Sequence, residues 1–200
     1  MSRIVSGRAE KTDQVVVLPS SLEDPSKAPP GLYRIGLLAI CLSIFAFFTA
    51  LVIAYIWRSN LGPYAAPIQI PRTLWISTAL ILSSSVTFEI ARRMFRSGDW
   101  RAASNLLRAT ASLGAGFLAA QITAWRQLIS SGAFNAHNPH STFFYLFTGL
   151  HAVHLIGGMI AMAAVLFGRR RRRELMDVVC YYWHFLGALW LALYLVLLAV

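Results

Sequence analysis

Charge is scarce in this chain. Only 13% of its 200 residues are Asp, Glu, Lys or Arg, and acids are the rarer sign, eight against eighteen bases. An ordinary soluble domain carries about a quarter charged residues, so a water-exposed globule is excluded. Cysteine is nearly absent as well. Cys41 and Cys180 both fall inside apolar runs, with no disulfide framework and no metal-ligand spacing, and read as small buried hydrophobes. No segment alternates apolar and polar residues with period two, which excludes a transmembrane barrel. No nucleophile elbow, phosphate loop or acid–base pair is found, so the chain has no recognisable catalytic centre of its own.

What it has in quantity is hydrocarbon. Residues of hydrophobic type make up 57% of the chain, in runs of roughly 20 residues that match a bilayer core. Five spans follow: about 34–57, 72–95, 105–130, 141–167 and 177–199. Each must be helical, because backbone groups in lipid have to be bonded within the segment. The expected fold is an all-α membrane protein, a bundle of five transmembrane helices, with a disordered polar tail over residues 1–33. The tail is Pro-rich near its end and contains no secretory signal core.

The net charge of +10 is not a nucleic-acid signature in this setting. Arg3, Arg8, Lys11, Lys27 and Arg34 precede the first span. Arg92, Arg93, Arg96, Arg101 and Arg108 flank the second loop, and Arg169 to Arg173 the fourth. Only Arg58, Arg72 and Arg126 fall on the other side. Basic residues gather in cytoplasmic loops, so the N-terminus is expected in the cytoplasm and the C-terminus in the periplasm.

Polar residues within the spans are the candidates for function. Ser77, Thr78, Ser83, Ser84, Ser85 and Thr87 crowd the second helix and read mainly as close-packing residues that bond back to carbonyls. Glu89 stands a turn from Arg92 and Arg93, which favours an ion pair over a proton carrier. Gly114, Phe117, Gln121 and Trp125 form one stripe of the third helix, and the Gln121 amide is expected to face the bundle. His151 and His154 lie in the fourth helix and His184 in the fifth, where Trp183, Gly187, Trp190 and Tyr194 share a face. Haem ligation by His154 or His151 with His184 is open on depth, but packing histidines are favoured. A metal site is weaker, since no carboxylate is expected at comparable depth. His137 and His140 flank Pro139 in an outer loop and are expected to be solvated.

Several runs of this chain are recognisable. Ser141-Thr142-Phe143-Phe144, then Thr148-Gly149-Leu150-His151-Ala152-Val153-His154 and Gly158, resemble a signature of haem–copper oxidase subunit III. Tyr182-Trp183-His184-Phe185, with Trp190 and Tyr194, resembles the signature of that subunit's last helix. Leu113, Gly114, Phe117 and Gln121 are similar to the helix two earlier. Thr78, Ser84, Ser85 and Ala91 are similar to the one before it, and Ser43, Phe47 and Phe48 to the first shared helix. The resemblance covers about residues 34–200 and is to the short, five-helix bacterial form.

What the resemblance implies is an accessory, non-redox subunit of a proton-pumping terminal oxidase that reduces oxygen to water in a bacterial inner membrane. It would pack directly on oxidase subunit I, with subunit II also in the complex, and hold phospholipids in a cleft. Haem and copper would sit in the partner subunits, with cytochrome c or quinol as donor. Gln121, Thr148, Gly149, His151, His154, Gly158, Tyr182, Trp183, His184, Phe185, Trp190 and Tyr194 would be packing or lipid-cleft residues. The chain departs from the family in two places. Ile44 and Gly187 stand where the family carries intramembrane acids, so no role tied to those carboxylates carries over. The alternatives are a stand-alone b-type cytochrome with a bis-histidine haem, a subunit of a related nitric-oxide-reductase-type complex, or a small transporter.

Overall fold

The computed structural model describes residues 32–59, 71–132, 139–168 and 173–199. Within them the chain forms five helices: α1 (Leu32–Ser59), α2 (Thr73–Arg96), α3 (Trp100–Ser130), α4 (Pro139–Phe167) and α5 (Arg173–Ala199). His137 and the arginines from 169 to 172 lie outside the described residues, as does the tail up to residue 31. Residues 32 and 33, assigned above to that tail, are already helical.

α2, α4, α5 and α1 are each long and apolar enough to cross a membrane. α3 is not among them, because Arg101, Arg108, Gln121 and Arg126 dilute its 31 residues. Burial follows the same logic. α1 buries Ile44, Phe48 and Tyr55 along one stripe, while Ile35, Leu38, Phe45 and Ile53 are all more than half exposed. Leaving such a surface in water costs about 25 cal/mol per Å² of apolar area. The solvent for this face is therefore lipid, and the chain is a multi-pass membrane protein.

The α2–α3 connection shows how the bundle turns. Asp99, Gly98 and Ser97 donate their backbone N–H groups to the carbonyls of Met94, Phe95 and Arg93, closing the α2 C-terminus in a Schellman-like arrangement. That geometry needs a left-handed residue, and Gly98 supplies it with φ of +92°. The Asp99 carboxylate then accepts the Ala102 N–H at 2.9 Å and caps α3. The cap explains why α3 starts at Trp100, five residues before the apolar run. The hairpin is held along its length by Thr87–Thr110 (2.8 Å), Gln121–Ser77 (3.3 Å) and Thr73–Gln127 (2.8 Å).

His140 departs from the solvated-loop expectation. It lies in the first turn of α4, whose helix begins at Pro139, a residue type suited to a helix start. The Tyr55 hydroxyl meets its Nδ1 at 2.9 Å, tying α1 to α4.

Replacing Gly98 by alanine should destabilise the chain by about 1–2 kcal/mol, the usual cost of a left-handed non-glycine residue. Denaturant titration in a fixed mild detergent, followed by helical circular dichroism, measures it. A change within error would mean the turn relaxes without a left-handed residue.

Candidate functional site

The intramembrane motif residues converge on one core built around α5. Trp183 and Trp190 are seven residues apart, hence on one helix face, and neither has accessible surface. An indole N–H can only donate, so burying it requires an acceptor. The Trp183 Nε1–H donates to Ser84 Oγ at 2.9 Å, and the Trp190 Nε1–H to Thr78 Oγ1 at 3.0 Å, both on α2.

Those two hydroxyls make good acceptors because their own protons are already engaged. Ser84 donates to the Ile81 carbonyl at 2.7 Å and Thr78 to the Leu74 carbonyl at 2.8 Å, each within α2. The arrangement recurs on α4. Thr148 Oγ1 donates to the Phe144 carbonyl at 2.7 Å and accepts the Trp125 Nε1–H of α3 at 2.9 Å. It recurs once more where Ser77 donates to Leu74 and accepts the Gln121 amide.

Room for the indoles comes from missing side chains. A Cβ added at Gly114 would stand 2.9 Å from Trp183 Cη2, and one at Gly158 would stand 3.3 Å from both Trp183 and Leu186. Trp183 thus fills a slot with Gly114 of α3, Gly158 of α4 and Ser84 of α2 on its walls, with the Phe88 ring edge-on at 6.1 Å. Trp190 packs edge-on against Phe117 (5.0 Å) and beside His151 (5.3 Å), with Tyr194 stacked at 6.2 Å. Gly149 is different: nothing lies within 4 Å of a Cβ built there.

The three intramembrane histidines do not meet. His151 is fully buried between Phe117 and Trp190, and neither ring nitrogen has a hydrogen-bond partner among the described residues. His154 engages its own helix through Nδ1 and the Leu150 carbonyl (2.7 Å), and packs on Phe48. Tyr182 reaches the His154 carbonyl from α5 at 3.4 Å. His184 turns towards α2, with Cys180 Sγ at 3.5 Å and Glu89 Oε2 at 3.8 Å. Each ring has its own set of partners, which gives a bis-histidine haem no geometric support.

That last contact corrects the expectation that no carboxylate lies at the depth of the histidines. α2 and α5 run antiparallel and bring Glu89 to His184. Glu89 also pairs with Arg92, in a fork of two 2.8 Å bonds, and with Arg93 at 3.0 Å. Asp177 of α5 joins the group through Arg96 (2.8 Å) and Arg92 (3.4 Å). The ion pair expected within α2 is thus part of a network linking two helices.

The positions of the missing acids are apolar and closed. Ile44 is a core residue, 8% exposed. Gly187 is buried where a Cβ would come within 3.1 Å of Ser85 Oγ, so a side chain there requires the Ser85 hydroxyl to give by a few tenths of an ångström.

Gly114, Phe117, Gln121, Thr148, His151, Gly158, Trp183, Trp190 and Tyr194 are thus buried motif residues, in a chain with four described helices apolar enough for a bilayer. Residues 28–199 match the family described as cytochrome c oxidase subunit III. The chain belongs to that family. Among its relatives is cytochrome c oxidase subunit 3 of Corynebacterium diphtheriae, 26% identical over 179 residues, covering 83% of this chain and 87% of the relative. The subunit 3 of Bacillus sp. strain PS3 is 26% identical over 160 residues, covering 76% and 77%. Cytochrome bo(3) ubiquinol oxidase subunit 3 of Pseudomonas putida is 27% identical over 127 residues, covering 60% and 61%. Family membership also agrees with the resemblance carried by the motifs of α4 and α5.

The slot around Trp183 makes a quantitative prediction. Gly114→Val should cost about 1–3 kcal/mol by overpacking. Ser84→Ala, which leaves an indole N–H orphaned, should cost about 0.5–2 kcal/mol. Stepwise denaturation by sodium dodecyl sulfate in mixed micelles, read by tryptophan fluorescence, ranks the two. Equal stability of Gly114→Val and the native chain would show that the slot is not closed.

Proposed function

We propose that this chain is the third, non-redox subunit of a terminal oxidase that reduces oxygen to water while pumping protons. The observation that carries the reading is the Trp183–Trp190 core. Signature residues on α3, α4 and α5, among them Gly114, Thr148, Gly158, Trp183 and Trp190, are engaged in holding helices together. A chain organised this way serves as a scaffold, and the redox chemistry belongs to haem and copper in the partner subunits.

In this reading all five helices cross the bilayer. α3 does so despite its polar residues because Gln121, Thr110 and Ser104 face inwards. The N-terminus lies in the cytoplasm and the C-terminus in the periplasm of a bacterial inner membrane, as the distribution of arginines favours. The chain packs on oxidase subunit I in a complex that includes subunit II. Gln121, Thr148, His151, Gly158, Trp183, Trp190 and Tyr194 are its packing residues. Gly149, His154, Tyr182, His184 and Phe185 are only half-buried and are the positions at which phospholipid or the catalytic subunit rests.

Cytochrome c is favoured as the donor to the complex over quinol. Relatives named as cytochrome c oxidase subunits cover 83% of the chain, against 60% for the ubiquinol oxidase subunit. The rival readings draw nothing from the geometry. The histidines are separated, and the described helices are continuous, without the broken segments that mark many transporters.

Purification of the chain from its native membrane in a mild detergent should bring down a large haem-containing polytopic subunit in equal amount. Recovery of the chain alone, by quantitative mass spectrometry, would remove the oxidase role. In the same preparation, loss of this chain should leave the initial rate of oxygen reduction measurable but shorten the enzyme's life during turnover.

A further inference from the structure

The network at the α2–α5 contact contains more than salt bridges. Glu89 Oε2, Cys180 Sγ and His184 Nε2 all lie within 4.8 Å of one another. The separations are 3.5 Å for sulfur to nitrogen, 3.9 Å for sulfur to oxygen and 3.8 Å for nitrogen to oxygen. A tetrahedral Zn2+ site with ordinary bond lengths has ligand–ligand edges of about 3.3–3.7 Å. The Cys–His edge on α5 already fits, and the two edges to Glu89 need a closure of a few tenths of an ångström by a flexible side chain.

The lone pairs of Glu89 point the same way. A carboxylate offers about four acceptor directions. Arg92 takes one on each oxygen and Arg93 takes a second on Oε1. The fourth, on Oε2, receives the Cys180 S–H at 3.9 Å, a proton that a bound cation would replace. Cys180 and His184 are four residues apart on one helix and so present their donor atoms together.

We propose that Glu89, Cys180 and His184 form a binding site for a Zn2+-class cation that fastens α2 to α5. The donor set is one thiolate, one imidazole and one carboxylate, a combination that favours borderline metals such as Zn2+ over Mg2+ or Ca2+. Binding breaks the Cys180 S–H bond, forms the S–Zn bond and releases that proton to water. His184 binds through Nε2 with its proton on Nδ1, and the fourth position is taken by water. The ion carries two positive charges, which the thiolate and the Glu89 carboxylate neutralise. Arg92 and Arg93 oppose it and Asp177 offsets part of that opposition, so the site is weaker than one whose carboxylate is shared with no guanidinium. No redox change is involved.

The test uses the full chain in mild detergent, stripped with a chelator, kept under a non-thiol reductant and re-loaded with Zn2+ or Co2+ alone. Equilibrium dialysis with elemental analysis should find one Zn2+ per chain. The Co2+ form should show a thiolate-to-metal charge-transfer band in the near ultraviolet and the intense visible bands of four-coordinate cobalt. Cys180→Ala should abolish the charge-transfer band and weaken binding by about 100-fold or more, since even an outer ligand partner is typically worth 10–100-fold.

A second measurement needs no variant. In enough denaturant for Cys180, which has no accessible surface in the folded chain, to be alkylated in the metal-free protein, Zn2+ should slow that alkylation and leave Cys41 unaffected, as read by peptide mass spectrometry. Uptake of no ion, a Co2+ spectrum without a thiolate band, or equal alkylation of Cys180 with and without Zn2+ would each overturn the site.

Discussion

Everything in this bundle depends on how a buried tryptophan N–H finds an acceptor in a place without water. Hydrocarbon offers none. The solution is a serine or threonine whose proton bonds back to a carbonyl three or four residues earlier. Its remaining lone pairs then point outwards, and the hydroxyl behaves as an acceptor only. Ser84, Thr78 and Thr148 each meet one indole this way, and Ser77 meets an amide. Because donor and acceptor are complementary and neither can switch roles cheaply, these bonds define which residues face each other. Apolar packing alone would tolerate sliding.

The consequence is a register. Along the α2–α5 contact the partners run in opposite directions in step: Arg96 with Asp177, Glu89 with Cys180, Ser84 with Trp183, Thr78 with Trp190, and Trp75 with Tyr194. From Arg96 to Trp75 the ladder covers roughly 30 Å at 1.5 Å per residue, close to the thickness of a hydrocarbon core. Charge occupies one end, indole–hydroxyl bonds the middle and an edge-to-face aromatic pair the other end. Each kind of interaction stands where its solvent suits it. α1 is held differently, by Phe48 against His154 and by Tyr55 against His140, Phe143 and Phe147. It leaves most of its apolar surface outward for lipid or another subunit.

The five helices are legible in the sequence because an apolar run bounded by arginines or proline has few other readings. The packing role of the small hydroxyl residues is legible too, since lipid makes close approach the main source of helix affinity. Which hydroxyl meets which indole is not. Ser84 and Trp183 are 99 residues apart, and their meeting depends on helix register, which no local pattern encodes. A signal existed all the same. Two tryptophans seven apart on α5 require two acceptors, and α2 carries Thr78 and Ser84 six apart. The meeting of Glu89 with His184 is hidden for the same reason, since it depends on the register of α2 against α5. His140 is ambiguous because Pro139 signals both loops and helix starts, and the structure places it in the first turn of α4, against the Tyr55 hydroxyl 85 residues away in sequence.

The distribution of acids bears on what such a subunit can contribute. Among the described residues the carboxylates are Glu89, Asp99, Glu174 and Asp177. All belong to the α2–α3 turn, the first turns of α5 or the Arg92 network. None lies in the middle of the bundle, where Ile44 and Gly187 are both buried. The His151 ring is sealed between Phe117 and Trp190, and neither of its nitrogens has a hydrogen-bond partner among the described residues. A ring so placed is poorly suited to exchange protons, because each transfer needs a partner within hydrogen-bond reach. The middle of this subunit is thus built to hold shape. Its titratable chemistry is concentrated at one end, where α2 and α5 share their charges and where the arginine-bearing α2–α3 turn also lies.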